Sequence, residues 1–137
     1  MKKNMQTVLC VDDDPEVLNI LEIMLRRRGL RVLSASNPAS GIEFIKSFRC
    51  DAAIVDYAMP GMNGGELARE LRGVQPGLPI ILHTGYADIQ DPLLAYVDCT
   101  VPKGSFASLM AKLNELLHLP NAEQASEVKA GGKASAA

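Results

Sequence analysis

The stretch VLCVDDDPEV, Val8 to Val17, decides how the rest of the chain is read. With Thr7 before it, TVLCV is a continuous apolar run carrying β-branched residues, the mark of a strand buried on both faces. It ends on three adjacent aspartates, Asp12, Asp13 and Asp14, and then Pro15. Asp14 suits a helix N-cap and Pro15 the first helical position. From Pro15 to Arg28, Val17, Leu21, Met24 and Leu25 recur at helical spacing, and Gly29 stops the helix. A buried strand that enters a helix through an acidic turn is one β-α unit. Nothing basic adjoins the three carboxylates in sequence, so something distant must neutralise them.

The alternation repeats along the chain. LRVLSAS reads as a second strand, followed by a helix from about Ala39 to Phe48 carrying Ile42, Ile45 and Phe48. AAIVD, Ala52 to Asp56, is the third strand, and a helix from about Gly65 to Val74 puts Leu67, Leu71 and Val74 on one stripe. LPIILH is a fourth strand and YVDCTV a short fifth. The last helix carries Phe106, Leu109, Leu113, Leu116 and Leu117, with Pro120 as its stop. Residues 121–137 are small, polar and aperiodic, the composition of a disordered tail or linker, which leaves one domain over residues 1–120. Five β-α units in series predict an α/β fold, a parallel sheet with helices on both faces.

Bulk properties narrow the function classes. Apolar residues make up 47% and charged residues 22% of 137, enough for one well-packed soluble domain. A formal charge of −2 argues against general binding to nucleic acid or to a membrane surface. The one basic run, Arg26-Arg27-Arg28, falls at a helix C-terminus, where cations complement the helix dipole. Cys10, Cys50 and Cys99 lie far apart with no C-x-x-C pair, so they read as free thiols of a reducing, cytoplasmic setting. No run is apolar for long enough to span a bilayer.

In open parallel sheets the working crevice lies beyond the carboxyl ends of the strands. Asp12 and Asp13 end the first strand, Asp56 the third and Thr84 the fourth, while Lys103 follows the fifth. Converging carboxylates raise one another's pKa unless a cation joins them, and oxygen-only ligation suits a hard divalent ion such as Mg²⁺. Asp56 beside a metal and a lysine is a plausible nucleophile towards phosphorus; Thr84 can donate to a phosphoryl oxygen and Lys103 supply positive charge. His83 is expected to face away from its neighbour Thr84 and carries no role.

Taken together, VDDDP, VDYAMPGMNG, HTGYAD and VPKGSF resemble the motifs of the receiver domain of two-component response regulators, over roughly Thr7 to Leu119. The resemblance implies a flavodoxin-like sheet of order 2-1-3-4-5. It implies that Asp56 accepts a phosphoryl group from a phosphohistidine on a sensor histidine kinase or histidine phosphotransfer protein. Asp13 and Asp56 would bind Mg²⁺ directly, with the backbone carbonyl of Ala58 helping and Asp12 close by, partly through water. Thr84 would turn towards the aspartyl phosphate and Lys103 pair with it. Such a domain works by switching a protein contact, as a monomer or weak dimer, and catalyses only its own phosphorylation and dephosphorylation.

Three departures from the family's pattern stand out. Gly104, not proline, follows Lys103, and a cis bond there would cost about 3 kcal/mol, so a trans loop with Lys103 slightly displaced is expected. The family's switch aromatic lies three positions before the lysine, which here is Thr100; Tyr86, two after Thr84, is either a substitute moving ring or a static cover. The segment from Thr84 to Lys103 is short, and Asp91-Pro92 interrupts it, so the fourth helix is expected as a stub at PLLAY. Ala58 and Tyr86 would flank the phosphoryl group, and neither positions an attacking water, which predicts a long-lived phosphorylated state. Two rivals compete: a receiver-like docking module that takes no phosphate, and a haloacid-dehalogenase-like phosphatase. The second would use Asp12 and Asp14 as its D-x-D pair, with only Asp88 available as a later acid.

Overall fold

The computed structural model describes residues 5–119. The tail expected at 121–137, the boundary at 120 and the helix stop at Pro120 lie outside the described residues. Five strands, β1 (Thr7–Val11), β2 (Arg31–Ala35), β3 (Ala52–Val55), β4 (Ile80–Thr84) and β5 (Cys99–Pro102), form one parallel sheet in the order β2-β1-β3-β4-β5. Four α-helices cross over between or after them: α1 (Pro15–Arg27), α2 (Pro38–Ser47), α3 (Gly64–Val74) and α4 (Phe106–Leu117). The expected α/β architecture and strand order are those observed.

The sheet divides the core in two, because successive side chains along a strand point to opposite faces. One face carries Val8, Cys10, Ile54, Ile81 and Val101 against Leu18, Leu21 and Leu25 of α1 and Leu109, Leu113 and Leu117 of α4. The other carries Leu9, Val11, Ala53, Val55, Ile80 and Leu82 against Ile45 of α2 and Leu67 and Leu71 of α3. Every residue of β1, β3 and β4 is buried, which explains their unbroken apolar runs. Burying a leucine fully stabilises by roughly 1.5–3 kcal/mol, so these two clusters hold the scaffold on which the strand ends sit.

Local signals set the element ends. Asp14 caps α1, its carboxylate accepting from the Glu16 N–H, and Arg26 and Arg27 occupy the last turn. Gly29 then takes φ +81°, a left-handed turn that glycine adopts at little cost. At α3, Asn63 accepts from the Glu66 N–H while the Glu66 carboxylate accepts from the Asn63 N–H, a complete capping box. The α1 stripe differs from the spacing read in sequence: Leu18 is buried, whereas Val17 and Met24 are only partly so. Val74 is 41% exposed, because α3 has turned it past the sheet.

Between β4 and β5 the fourth helix is indeed a stub, a 3₁₀ helix at Pro92–Tyr96. Asp91 caps it through the Leu93 N–H. The stub lies against the first turn of α3 at Gly65, where a Cβ would come within 3.0 Å of Leu93 Cβ and 3.1 Å of Asp91 Oδ2. β5 accordingly starts at Cys99, later than the YVDCTV run suggests, since Tyr96 belongs to the stub. No cis peptide bond occurs among the described residues, so the loop after β5 is trans throughout.

Candidate functional site

The carboxyl ends of β1, β3 and β5 bring one cluster together. The ladder continues one step past β1 and β3: the Asp12 N–H donates to the Ala35 carbonyl (3.1 Å) and the Asp56 N–H to the Val11 carbonyl (2.9 Å). Both side chains are thereby pinned at the sheet's rim, and both residues are buried, at 2% and 5% exposure. Beyond β5, the Lys103 N–H donates to the Thr84 carbonyl (2.8 Å), and Gly104 turns the chain away at φ +93°. That hydrogen bond aims the lysine back across the strand ends. Its Nζ lies 2.9 Å from Asp12 and 3.2 Å from Asp56. Gly104 does the turning, and the lysine stays within ion-pair reach of both acids.

Asp13 is exposed, yet one oxygen from each of Asp12, Asp13 and Asp56 falls within 4.8 Å of the others. Asp14 caps α1, and Asp88 is an exposed residue at φ +51°, so of the three acids a phosphatase would need only Asp12 joins the cluster. Ala58 sits two residues past Asp56 in the exposed loop ahead of α3. Gly64 makes that loop possible: a Cβ there would press into the Asp56 carbonyl oxygen and lie 2.8 Å from Leu82 Cδ1. Thr84, buried at the end of β4, accepts the Tyr86 N–H at Oγ1 (3.2 Å). Tyr86 itself is 62% exposed and helps line a cavity of about 440 Å³, together with Thr84, Leu94 and Thr100.

The electrostatics follow from burial and crowding. Burial, then the neighbouring Asp12 charge, raises the Asp56 carboxyl above its ordinary value; Lys103 and the Tyr57 backbone N–H pull the other way without winning. Burial works against the charge on Lys103, but its bonds and charge contacts with Asp12 and Asp56 outweigh that and raise its pKa. One ammonium facing three carboxylates leaves negative charge uncompensated. Two like charges at 4 Å repel by about 4 kcal/mol at an effective dielectric near 20, enough to make a bound cation favourable. The donor set is all oxygen, as a hard divalent ion requires. The residues present therefore fit such an ion.

One feature was not foreseen from the sequence. Tyr57, next to Asp56, donates its hydroxyl to Asp91 Oδ2 at 2.7 Å, and this holds the Asp91 carboxyl below its usual range. The only advance sign was an aromatic placed directly after the buried aspartate. His83, as expected, faces away from Thr84: it is 1% exposed, in tilted contact with Phe106 at 5.6 Å between ring centres, and neither ring nitrogen finds a partner among the described residues. Burial, then the Lys103 charge, lowers the pKa of its imidazole below the usual histidine value.

A doubly wound parallel sheet whose strand ends gather two buried acids, a third acid and a lysine defines an α/β domain with an acidic, lysine-bridged rim. Residues 8–99 match the model of the response regulator receiver domain, and the chain belongs to that family. It is 36% identical over 88 residues to the transcriptional regulatory protein GlrR of Escherichia coli K12, covering 64% of this chain and 20% of that protein. It is 32% identical over 124 residues to the response regulator MprA of Mycobacterium tuberculosis H37Rv, covering 88% of this chain and 54% of that protein. The chain thus spans between a fifth and about half of these relatives. Among solved structures, the response regulator TrrA of Thermotoga maritima in complex with Mg²⁺-BeF superposes with a TM-score of 0.78 at 32% identity, over 82% of this chain and all of that one. TrrA in complex with the histidine kinase ThkA gives 0.76 at 31% identity, over 82% of this chain and 99% of that one. The fold is the flavodoxin-like receiver fold, and the domain is a receiver domain of the kind that two-component response regulators carry. No helix among the described residues is long and apolar enough to cross a membrane.

Proposed function

We propose that Asp56 takes the phosphoryl group, from a phosphohistidine on a sensor histidine kinase or a histidine phosphotransfer protein in the cytoplasm. The observation that carries this reading is Lys103, whose Nζ reaches both Asp12 (2.9 Å) and Asp56 (3.2 Å) at the rim of the sheet. A carboxylate oxygen of Asp56 attacks phosphorus, the P–N bond breaks, and its electron pair leaves with the imidazole. The product is an aspartyl phosphate. Lys103 is placed to meet the negative charge that arrives, and the Thr84 hydroxyl, at the neighbouring strand end, is the donor for a second phosphoryl oxygen. Asp12, Asp13, Asp56 and the Ala58 carbonyl would hold Mg²⁺, which when bound neutralises phosphoryl charge. Asp12 supports the site by fixing Lys103 and, through its other oxygen, the Asp14 N–H at 2.9 Å. The output is a switched protein contact, made as a monomer or weak dimer.

The test is direct. Incubation with acetyl phosphate and Mg²⁺ should add about 80 Da to the wild-type protein, and nothing to Asp56→Asn or to a sample held in EDTA. A wild-type protein that gains no mass would leave the docking-module reading, which Thr100 at the switch position favours. Gain on the Asp56→Asn protein would move the acceptor elsewhere.

A further inference from the structure

β2 is an edge of the sheet, and part of its backbone faces outward. The Arg31 N–H donates to the Gln6 carbonyl (2.8 Å) and the Ala35 carbonyl accepts the Asp12 N–H (3.1 Å), so Arg31, Leu33 and Ala35 turn their peptide groups towards β1. The N–H and carbonyl groups of Val32 and Ser34 therefore point the other way, and they have no backbone partner among the described residues. Such a row of open groups is a template for another strand. Beside it runs a groove of about 520 Å³ between β2 and α2, with Ala35, Ser36, Ser40, Glu43, Phe44 and Phe48 in its lining. Phe48 is half exposed, its ring centre 6.5 Å from that of Phe44. Arg31 and Glu43 are both exposed, and neither has an ion partner among the described residues.

We propose that this edge and groove form a two-fold interface with a second copy of the chain, the two β2 strands pairing antiparallel about Leu33. In that register Val32 of one copy lies opposite Ser34 of the other, and each such pair exchanges both of its open N–H and carbonyl groups. Offsetting the strands by one residue would set these open groups against groups already bonded to β1. Arg31 falls opposite Ala35 of the other copy. Its side chain leaves the sheet on the α2 side, because it shares the alternation of Leu33 and Ala35, which pack in the α2–α3 core. Glu43 lines the groove alongside Ala35, so the unpaired cation of each copy meets the unpaired anion of the other. Symmetry makes that contact twice. The chain carries both halves of every contact, which a two-fold interface requires and a chance groove does not supply. Phe44 and Phe48 of both copies are covered together. β5 and the stub lie at the other side of the sheet, and stay open in the pair.

Sedimentation velocity of the full chain, from micromolar to millimolar concentration, tests this. Wild type should show a reversible monomer–dimer equilibrium. Arg31→Glu and Glu43→Arg should each weaken it roughly tenfold, and the double reversal should restore it, because like charges then become opposite again. Hydrogen exchange reads the edge itself: the Val32 and Ser34 amides should gain protection as concentration rises, while the Leu33 amide, already bonded to β1, should not change. A protein that stays monomeric throughout overturns the proposal and leaves the edge to a strand of a different protein. A dimer that leaves the Val32 and Ser34 amides unprotected, or a double reversal no better than the single ones, overturns it as well. Gain of phosphoryl mass, measured on the same samples, is independent of all these outcomes.

Discussion

Lys103 stands closer to Asp12 than to Asp56, by 2.9 Å against 3.2 Å, and Asp12 is the more deeply buried of the two acids. The lysine is therefore shared, with its stronger hold on the acid that is not the proposed acceptor. Replacing it strands two buried carboxylates. Lys103→Met should cost about 2 kcal/mol of stability in metal-free buffer, seen as a lower urea midpoint, and Mg²⁺ should return part of it. An unchanged midpoint would mean that the acids are solvated rather than paired.

Asp56→Asn should act in the opposite direction. A carboxyl whose folded pKa is raised binds its proton more tightly in the folded state, so its contribution to stability falls as pH rises from the ordinary carboxylate range through the folded value. The amide avoids that loss. In EDTA above neutral pH the variant should melt several degrees higher than wild type, a gain of about 1 kcal/mol. Below about pH 3, where the wild-type carboxyl is protonated in both states, the difference should vanish. A gain that grows on acidification would reverse the sign of the argument.

Two glycines of α3 should respond in opposite senses to alanine. At Gly64 the added carbon would meet the Asp56 carbonyl oxygen, Leu82 Cδ1 at 2.8 Å and the Tyr57 Cα at 2.9 Å. Gly64→Ala should cost about 1–3 kcal/mol and slow phosphorylation, since the acceptor loop itself must shift. Gly73 has open space around it, so Gly73→Ala should stabilise by about 0.5 kcal/mol through helix propensity. Chemical denaturation of the pair separates a packing constraint from mere backbone entropy.

The aspartyl phosphate should be slow to hydrolyse. Ala58 has no group to orient water, and Tyr86 holds its N–H on Thr84 with its ring out at the cavity mouth. Loss of the phosphoryl mass from purified phosphoprotein should take far longer than seconds, and Tyr86→Ala should shorten the half-life severalfold. Turnover within seconds in wild type would show that water reaches the site unhindered.

Much of this was legible in local sequence, and the exceptions share a cause. Asp14-Pro15 and the buried runs of β1, β3 and β4 are short-range signals, and each produced the element it implies. The convergence of Asp12, Asp13, Asp56 and Lys103 followed from topology alone, since parallel strands deliver all their ends to one rim. The Tyr57–Asp91 bond and the fit of Leu93 over Gly65 join parts of the chain with no shared periodicity, so nothing local announces them. The same holds for Leu18 in place of Met24, because which helix stripe turns inward depends on what the sheet and α4 present to it.

The sheet is also a wall between two mechanical compartments. Leu113 and Leu71, on its opposite sides, share no core, so truncating both should cost the sum of the single losses to within about 0.5 kcal/mol. Adjacent residues at the rim, Asp56 with Tyr57 and His83 with Thr84, are where the wall is crossed. Double-mutant cycles that depart from additivity should gather at those two doorways, and a protein engineer seeking to stabilise one compartment without disturbing the signal should stay clear of them.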